Sequence, residues 1–261
     1  WTLQKLLDWL SAAFLDSSKT FLWLAIGFPN NERRYSMKQI ITIQHCQSQH
    51  HLNGMMDGIF IMYHRKSDDY PLMVKPHKWT ALQNAGEIAD GVVVVEGGKV
   101  LVVAPTEAGS AGILWSSAAE SVSVTTTSDR VTAMNDWNGK ANTASIISKS
   151  TSAAVTNTSA YAPGFCNLYS RVNANGRGLT AGKWWLPSVG EMMMIYANMT
   201  KINYCLSLIT GATQLLENWY WTSTESGATF AWSLYLSFGY FAWYPKTSTK
   251  GRVRPVSTFI S

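Results

Sequence analysis

The sequence predicts an α+β fold, and three observations carry that reading. Two β-branched runs, 92–95 and 100–103, flank Glu96-Gly97-Gly98-Lys99, the pattern of a hairpin with a tight turn. Ser188 stands three residues before Glu191, a helix-opening capping-box spacing, ahead of the apolar run 192–199. From residue 219 the helical period gives way to a period of two. Phe230, Trp232, Leu234, Leu236 and Phe238 then alternate with Ala231, Ser233, Tyr235 and Ser237.

Taken in order, residues 1–36 are set apart as an N-terminal extension of uncertain relation, since Met37 reads as a natural start. Leu3, Leu6, Leu7, Leu10 and Phe14 fall at helical spacing there, and residues 21–28 are apolar but about half the length of a membrane span. Neither has the basic start and cleavage site of a signal peptide. Residues 37–129 form a β-rich attachment region, with strands at 38–43 and 58–63, the hairpin, and an irregular Ser/Thr-rich stretch at 116–132. Residues 130–261 form the ligand-binding domain. Its expected elements are a helix over 130–152, a loop over 160–175, a turn at 173–178 and the capped helix. A helix-and-turn at 203–216 leads into an antiparallel sheet, with one core face and one exposed face. That sheet has strands at 230–238 and 240–244 joined at Gly239, a polar loop over 245–251, and a last strand at 252–256.

Composition narrows the chemistry. The chain has 261 residues, 46% hydrophobic and 14% charged, which is globular rather than disordered. Its net charge of +5 comes from scattered cations, so no nucleic-acid partner is expected. Cys46, Cys166 and Cys205 lack a CxxC spacing and read as buried free thiols. None of the five histidines lies beyond His77, so the C-terminal part alone holds no His-dependent catalytic or metal site. His45, preceded by Gln44 and followed by Cys46, with His50 and His51 close by, resembles the start of a histidine phosphatase. Gln44 and Cys46 replace that family's Arg and Gly, which leaves a hydrolase as a minor alternative. Calcium needs six to eight oxygen ligands, and residues 217–244 offer only Glu217 and Glu225 as carboxylates. No catalytic residue, metal, cofactor or membrane span is expected.

Eleven of the twenty-six residues from 219 to 244 are aromatic. A strand turns only alternate residues to one core, so some rings point outward, among Ser, Thr and Gly as on binding surfaces. The candidate ligand-binding set is Ser226, Thr229, Phe230, Ser233, Tyr235, Ser237, Phe238, Tyr240, Phe241, Trp243 and Tyr244.

Further residues stand in a suggestive series: Trp185-Leu186-Pro187-Ser188 with Glu191, Tyr220-Trp221-Thr222-Ser223-Thr224-Glu225, Ala231-Trp232, Gly239, Lys246, and Val253-Arg254-Pro255-Val256. This series resembles the C-type-lectin-like variable domains that are targets of diversity-generating retroelements, relatives of the formylglycine-generating-enzyme fold. The resemblance covers about residues 130–261. It implies a C-type-lectin-like domain with small antiparallel sheets and two helices, whose diversified surface rests on a framework including Trp185, Glu191, Trp221, Glu225, Trp232 and Arg254. It further implies recognition of a host-cell surface ligand, protein or glycan, by a homo-oligomer, as a trimer, at a phage tail-fibre tip on the virion. A bacterial cell-surface adhesin is the alternative. Adenine-directed mutagenesis of asparagine codons cannot yield Trp, so Trp219 and Trp243 are expected to be fixed or to come from another codon.

Overall fold

The computed structural model describes residues 56–151 and 156–259. The extension 1–36, the strand expected at 38–43 and the segment holding His45, His50 and His51 lie outside the described residues. Strand β1 (Gly58–His64) pairs antiparallel with β2 (Pro71–Val74) and with β3 (Ala89–Glu96), which turns back into β4 (Lys99–Val103). Glu96 faces Lys99 across the turn, with φ of 55° at Gly97 and 76° at Gly98. Both central positions are left-handed, which glycine alone tolerates freely and which matches the twist of the strands.

The fifth strand of this sheet arrives from the far end of the chain. β12 (Val256–Ser257) pairs with β4, giving the order β12-β4-β3-β1-β2. The boundary expected at 129/130 therefore falls inside one compact unit, Asn53–Ser261. Val92, Val94, Ile61 and Leu101 face the central core, while Val93, Val95, Met62 and Val102 face a second core under Leu179 and Trp184. Burial on both faces explains an unbroken valine run where a half-exposed strand would alternate.

Six helices stand among the described residues, five of them within 130–261, where the resemblance implied two. α1 (Pro76–Asn84), absent from the sequence expectations, opens on proline and buries Trp79. The helix expected over 130–152 is two, α2 (Arg130–Met134) and α3 (Gly139–Lys149). The break holds Asp136, which is buried and accepts from the Asn138 amide at 2.9 Å, so its side chain competes with helical hydrogen bonds. α4 (Ala162–Leu168) replaces the loop expected at 160–175, and the proline in its first turn presets φ there. α5 (Val189–Ala197) begins with the expected Ser188/Glu191 capping box. α6 (Met199–Leu208) follows directly, shifted N-terminally from the expected 203–216.

Two short pairs join β5 (Ile113–Leu114) to β11 (Lys250–Gly251) and β6 (Arg171–Val172) to β7 (Gly178–Leu179). The single last strand expected at 252–256 is instead the segment 252–255 between β11 and β12. Within it Pro255 has no N–H to give, and the buried Arg254 guanidinium donates to Ala104 O, Glu107 Oε2 and Thr213 O at 3.0–3.1 Å. A three-stranded antiparallel sheet, order β10-β9-β8, contains β8 (Trp219–Glu225), β9 (Phe230–Tyr235) and β10 (Tyr240–Pro245). The central core runs from the large sheet through α5 and α6 to Tyr220, Trp232, Leu234 and Phe241 of the small one. The molecule is thus α+β with several small antiparallel sheets.

Candidate functional site

Cross-strand register decides which aromatic residues share a surface. Trp219, Tyr235 and Tyr240 lie directly opposite one another at one end of the three-stranded sheet. One face of that sheet packs on the central core; the other carries Trp221 and Ala231 into a third core with Trp115, Ile146 and Val253. The expectation of one core face and one exposed face is therefore corrected. Ala231, Trp232, Ser233 and Leu234 are all buried, and exposure is confined to the sheet's ends and to Trp243 on the edge strand.

Two members of the expected binding set are buried, Ser233 on the newly covered face and Phe241 on the central-core face. Ser233 is 2% exposed, and its hydroxyl donates to the Tyr220 carbonyl at 2.9 Å. Phe241 is 8% exposed and packs on the Trp232 ring at 5.2 Å. Ser226, Thr229 and Phe230 lie at the opposite end of the sheet from Tyr240, where the Ser226 amide bonds Phe230 O and the Lys246 amide bonds Thr229 O, each at 3.0 Å. Trp243 is exposed but stacks edge-on against Trp232 at 5.2 Å, on the other face from Tyr240 and Tyr244.

Tyr235, Phe238, Tyr240 and Tyr244 do come together, around a residue outside the expected set. The Trp219 ring centroid is 5.0 Å from Tyr235, 5.9 Å from Tyr240 and 4.9 Å from Tyr244. Phe238, 66% exposed, extends the cluster to 4.8 Å from Tyr235. Ser237 beside it is exposed and donates to Glu217 Oε2 at 3.3 Å. Arg130 borders the patch: its guanidinium lies 5.8 Å from the Tyr240 ring and donates to the Phe241 carbonyl at 3.1 Å. Trp219 was legible only with the strand register in hand. No local signal in the sequence links Arg130 to this surface.

The six expected framework residues, Trp185, Glu191, Trp221, Glu225, Trp232 and Arg254, are all buried. Glu225 pairs with Lys246 Nζ at 2.9 Å, both fully buried, and accepts from the amides of Val122 and Ser123 and from the Thr126 hydroxyl. Lys246 also donates to Glu120 O at 2.7 Å, and burial pushes its ammonium below the usual lysine range. These bonds fasten the 120–127 loop to the sheet and leave Glu225 committed inside the protein. Trp232 Nε1 adds a bond to Thr127 O at 2.8 Å, and Trp221 Nε1 one to Ile113 O at 3.0 Å. Burial, aided by the nearby Asp136, raises the Glu191 carboxyl to about 7. Burial likewise pushes the Cys205 thiol up to about 11 and the Cys166 thiol well above its usual value, so neither is a thiolate nucleophile at neutral pH.

These features define an α+β protein carrying an exposed aromatic patch on a hydrogen-bonded frame. No protein-family model matches the chain, and no curated protein matches it. No described helix is long and apolar enough to cross a membrane.

Proposed function

We propose that this protein is a non-catalytic ligand-recognition module with a C-type-lectin-like fold, and that the Trp219-centred sheet end is its contact surface. The observation that carries the reading is the continuous patch of Trp219, Tyr235, Phe238, Tyr240 and Tyr244. Tyr and Trp supply large contact area at low conformational cost, and Arg130 at the border adds a charged, hydrogen-bonding group of the kind common at binding hot spots. The motif series from Trp185 to Val256 favours a diversified surface at a phage tail-fibre tip, with a host-cell surface protein or glycan as ligand. Self-association, as a trimer, would raise a modest single-site affinity by avidity.

The test has two arms. Sequencing the gene across a phage or bacterial population should find substitutions concentrated at Tyr235, Ser237, Phe238, Tyr240 and Tyr244, with Trp221, Glu225, Trp232 and Lys246 constant. Even variation across both groups rejects a diversified surface. The fluorescently labelled chain should decorate whole cells of the bacterial community in which the gene is found, and the double variant Phe238→Ala/Tyr240→Ala should lose that decoration. Both rings are exposed, so its stability should stay within about 0.5 kcal/mol per site of the parent. Undiminished decoration by a folded double variant sinks the assignment of this surface.

A further inference from the structure

An open cleft of about 560 Å³ lies between α6 and the ends of β1 and β3, with the start of α1 on its rim. Its volume is in the range of small-ligand sites, and no residue of the three-stranded sheet lines it. Ile59, Pro76 and Val95 make an apolar wall, and Tyr204 on α6 offers a ring that is 56% exposed. Glu96, Asn198, Thr200, Lys201 and Asp57 complete the lining. Asn198 is 9% exposed, and its amide donates to Glu96 Oε2 at 2.8 Å and to Met194 O at 3.1 Å. One buried side chain thereby orients the exposed Glu96 carboxylate, which lowers the ordering that a ligand would have to impose.

We propose that this cleft binds a neutral saccharide unit, independently of the aromatic sheet end. A pyranose presents an apolar C–H face and a rim of hydroxyls that both donate and accept. The Tyr204 ring and Pro76 suit the first; the carboxylates of Glu96 and Asp57, the Thr200 hydroxyl and the Lys201 ammonium suit the second. Asp57 and Glu96 outnumber Lys201 among the lining residues, so the cleft disfavours an anionic sugar, and a cation is the competitor to be tested.

The test is ligand-observed saturation-transfer NMR on the full chain with D-glucose, D-galactose, D-mannose, N-acetyl-D-glucosamine and maltose, and with L-lysine as a charged control. At least one sugar should bind saturably with a Kd on the order of millimolar. Tyr204→Ala, at an exposed position, and Glu96→Gln should each weaken that binding by roughly fivefold or more while leaving the circular dichroism unchanged. Phe238→Ala should leave it intact. No saturable binding by any of the five sugars, equal binding by a folded Tyr204→Ala variant, tighter binding of L-lysine than of any sugar, or loss of binding in Phe238→Ala each overturns the proposal. Success or failure here is read at Tyr204 and leaves the sheet-end surface to its own test.

Discussion

Trp219 and Lys246 show how two residues of one sheet take opposite roles. Trp219 sits at the strand end opposite Tyr235, beyond the cover of the third core, so its ring anchors a patch open to solvent. Lys246 follows β10 at the other end and is drawn fully inside by Glu225. Removing one partner of a buried ion pair leaves an uncompensated charge, at a cost of about 3–5 kcal/mol. Lys246→Met should therefore destabilise the protein by about 3 kcal/mol, at the lower end because three donors remain on Glu225. Urea denaturation measures it, and a loss below about 1 kcal/mol contradicts a structural role for the pair. The exposure of Phe238 and Tyr240 was legible from aromatics beside a glycine turn. That of Ser233 was misread, because alternation reports which face a side chain takes and not whether a second layer covers that face.

At the scale of elements, β10 is an edge strand whose edge is partly closed. Arg130 takes the Phe241 carbonyl, Pro245 has no N–H, and the Pro245 carbonyl accepts from the Thr249 amide. Such blocking disfavours strand addition by a partner, leaving side chains to make contact. Helix α5 yields a pH prediction through its capping box. The Glu191 Oε2 atom accepts from the Ser188 amide at 2.8 Å, and burial raises the carboxyl from 4.5 to about 7. A folded-state value above the unfolded one means that this group's contribution is fully present below about pH 4.5 and is lost as pH rises through 7. The loss is of the order of 3 kcal/mol. Glu191→Gln keeps an acceptor but cannot ionise, so the stability difference between variant and parent should shift in the variant's favour from pH 5 to pH 8. Thermal melts across that range check it; a constant difference refutes it. The capping box was readable because its partners are three residues apart, whereas the burial of Asp136 at the break between α2 and α3 is accompanied by a bond from the Thr224 hydroxyl at 2.6 Å, far along the chain.

In the molecule as a whole, the N-terminal hairpin strands and the C-terminal β12 belong to one sheet, and one core joins both sheets. An isolated 56–129 fragment would lack β12 and the α5, α6 and small-sheet side of the core, exposing Val92, Val94 and Leu101. Expressed alone, it should give a collapsed amide NMR spectrum and no cooperative melt, whereas 53–261 should unfold in one transition. A dispersed spectrum from the short fragment would restore a boundary near 129.

The sequence by itself determined the features set by near neighbours: the Gly97–Gly98 hairpin, the Ser188/Glu191 cap, the turn at Gly239 and the α+β class. Each rests on backbone preferences or side-chain bonds within a few residues, which a linear pattern displays directly. Tertiary structure alone decided what covers the small sheet, where β12 goes, and that Trp219 and Arg130 join Tyr235 and Tyr240 at one surface. Those outcomes depend on contacts between distant segments. Burial is a property of the layers that meet on a face, and no local pattern records them.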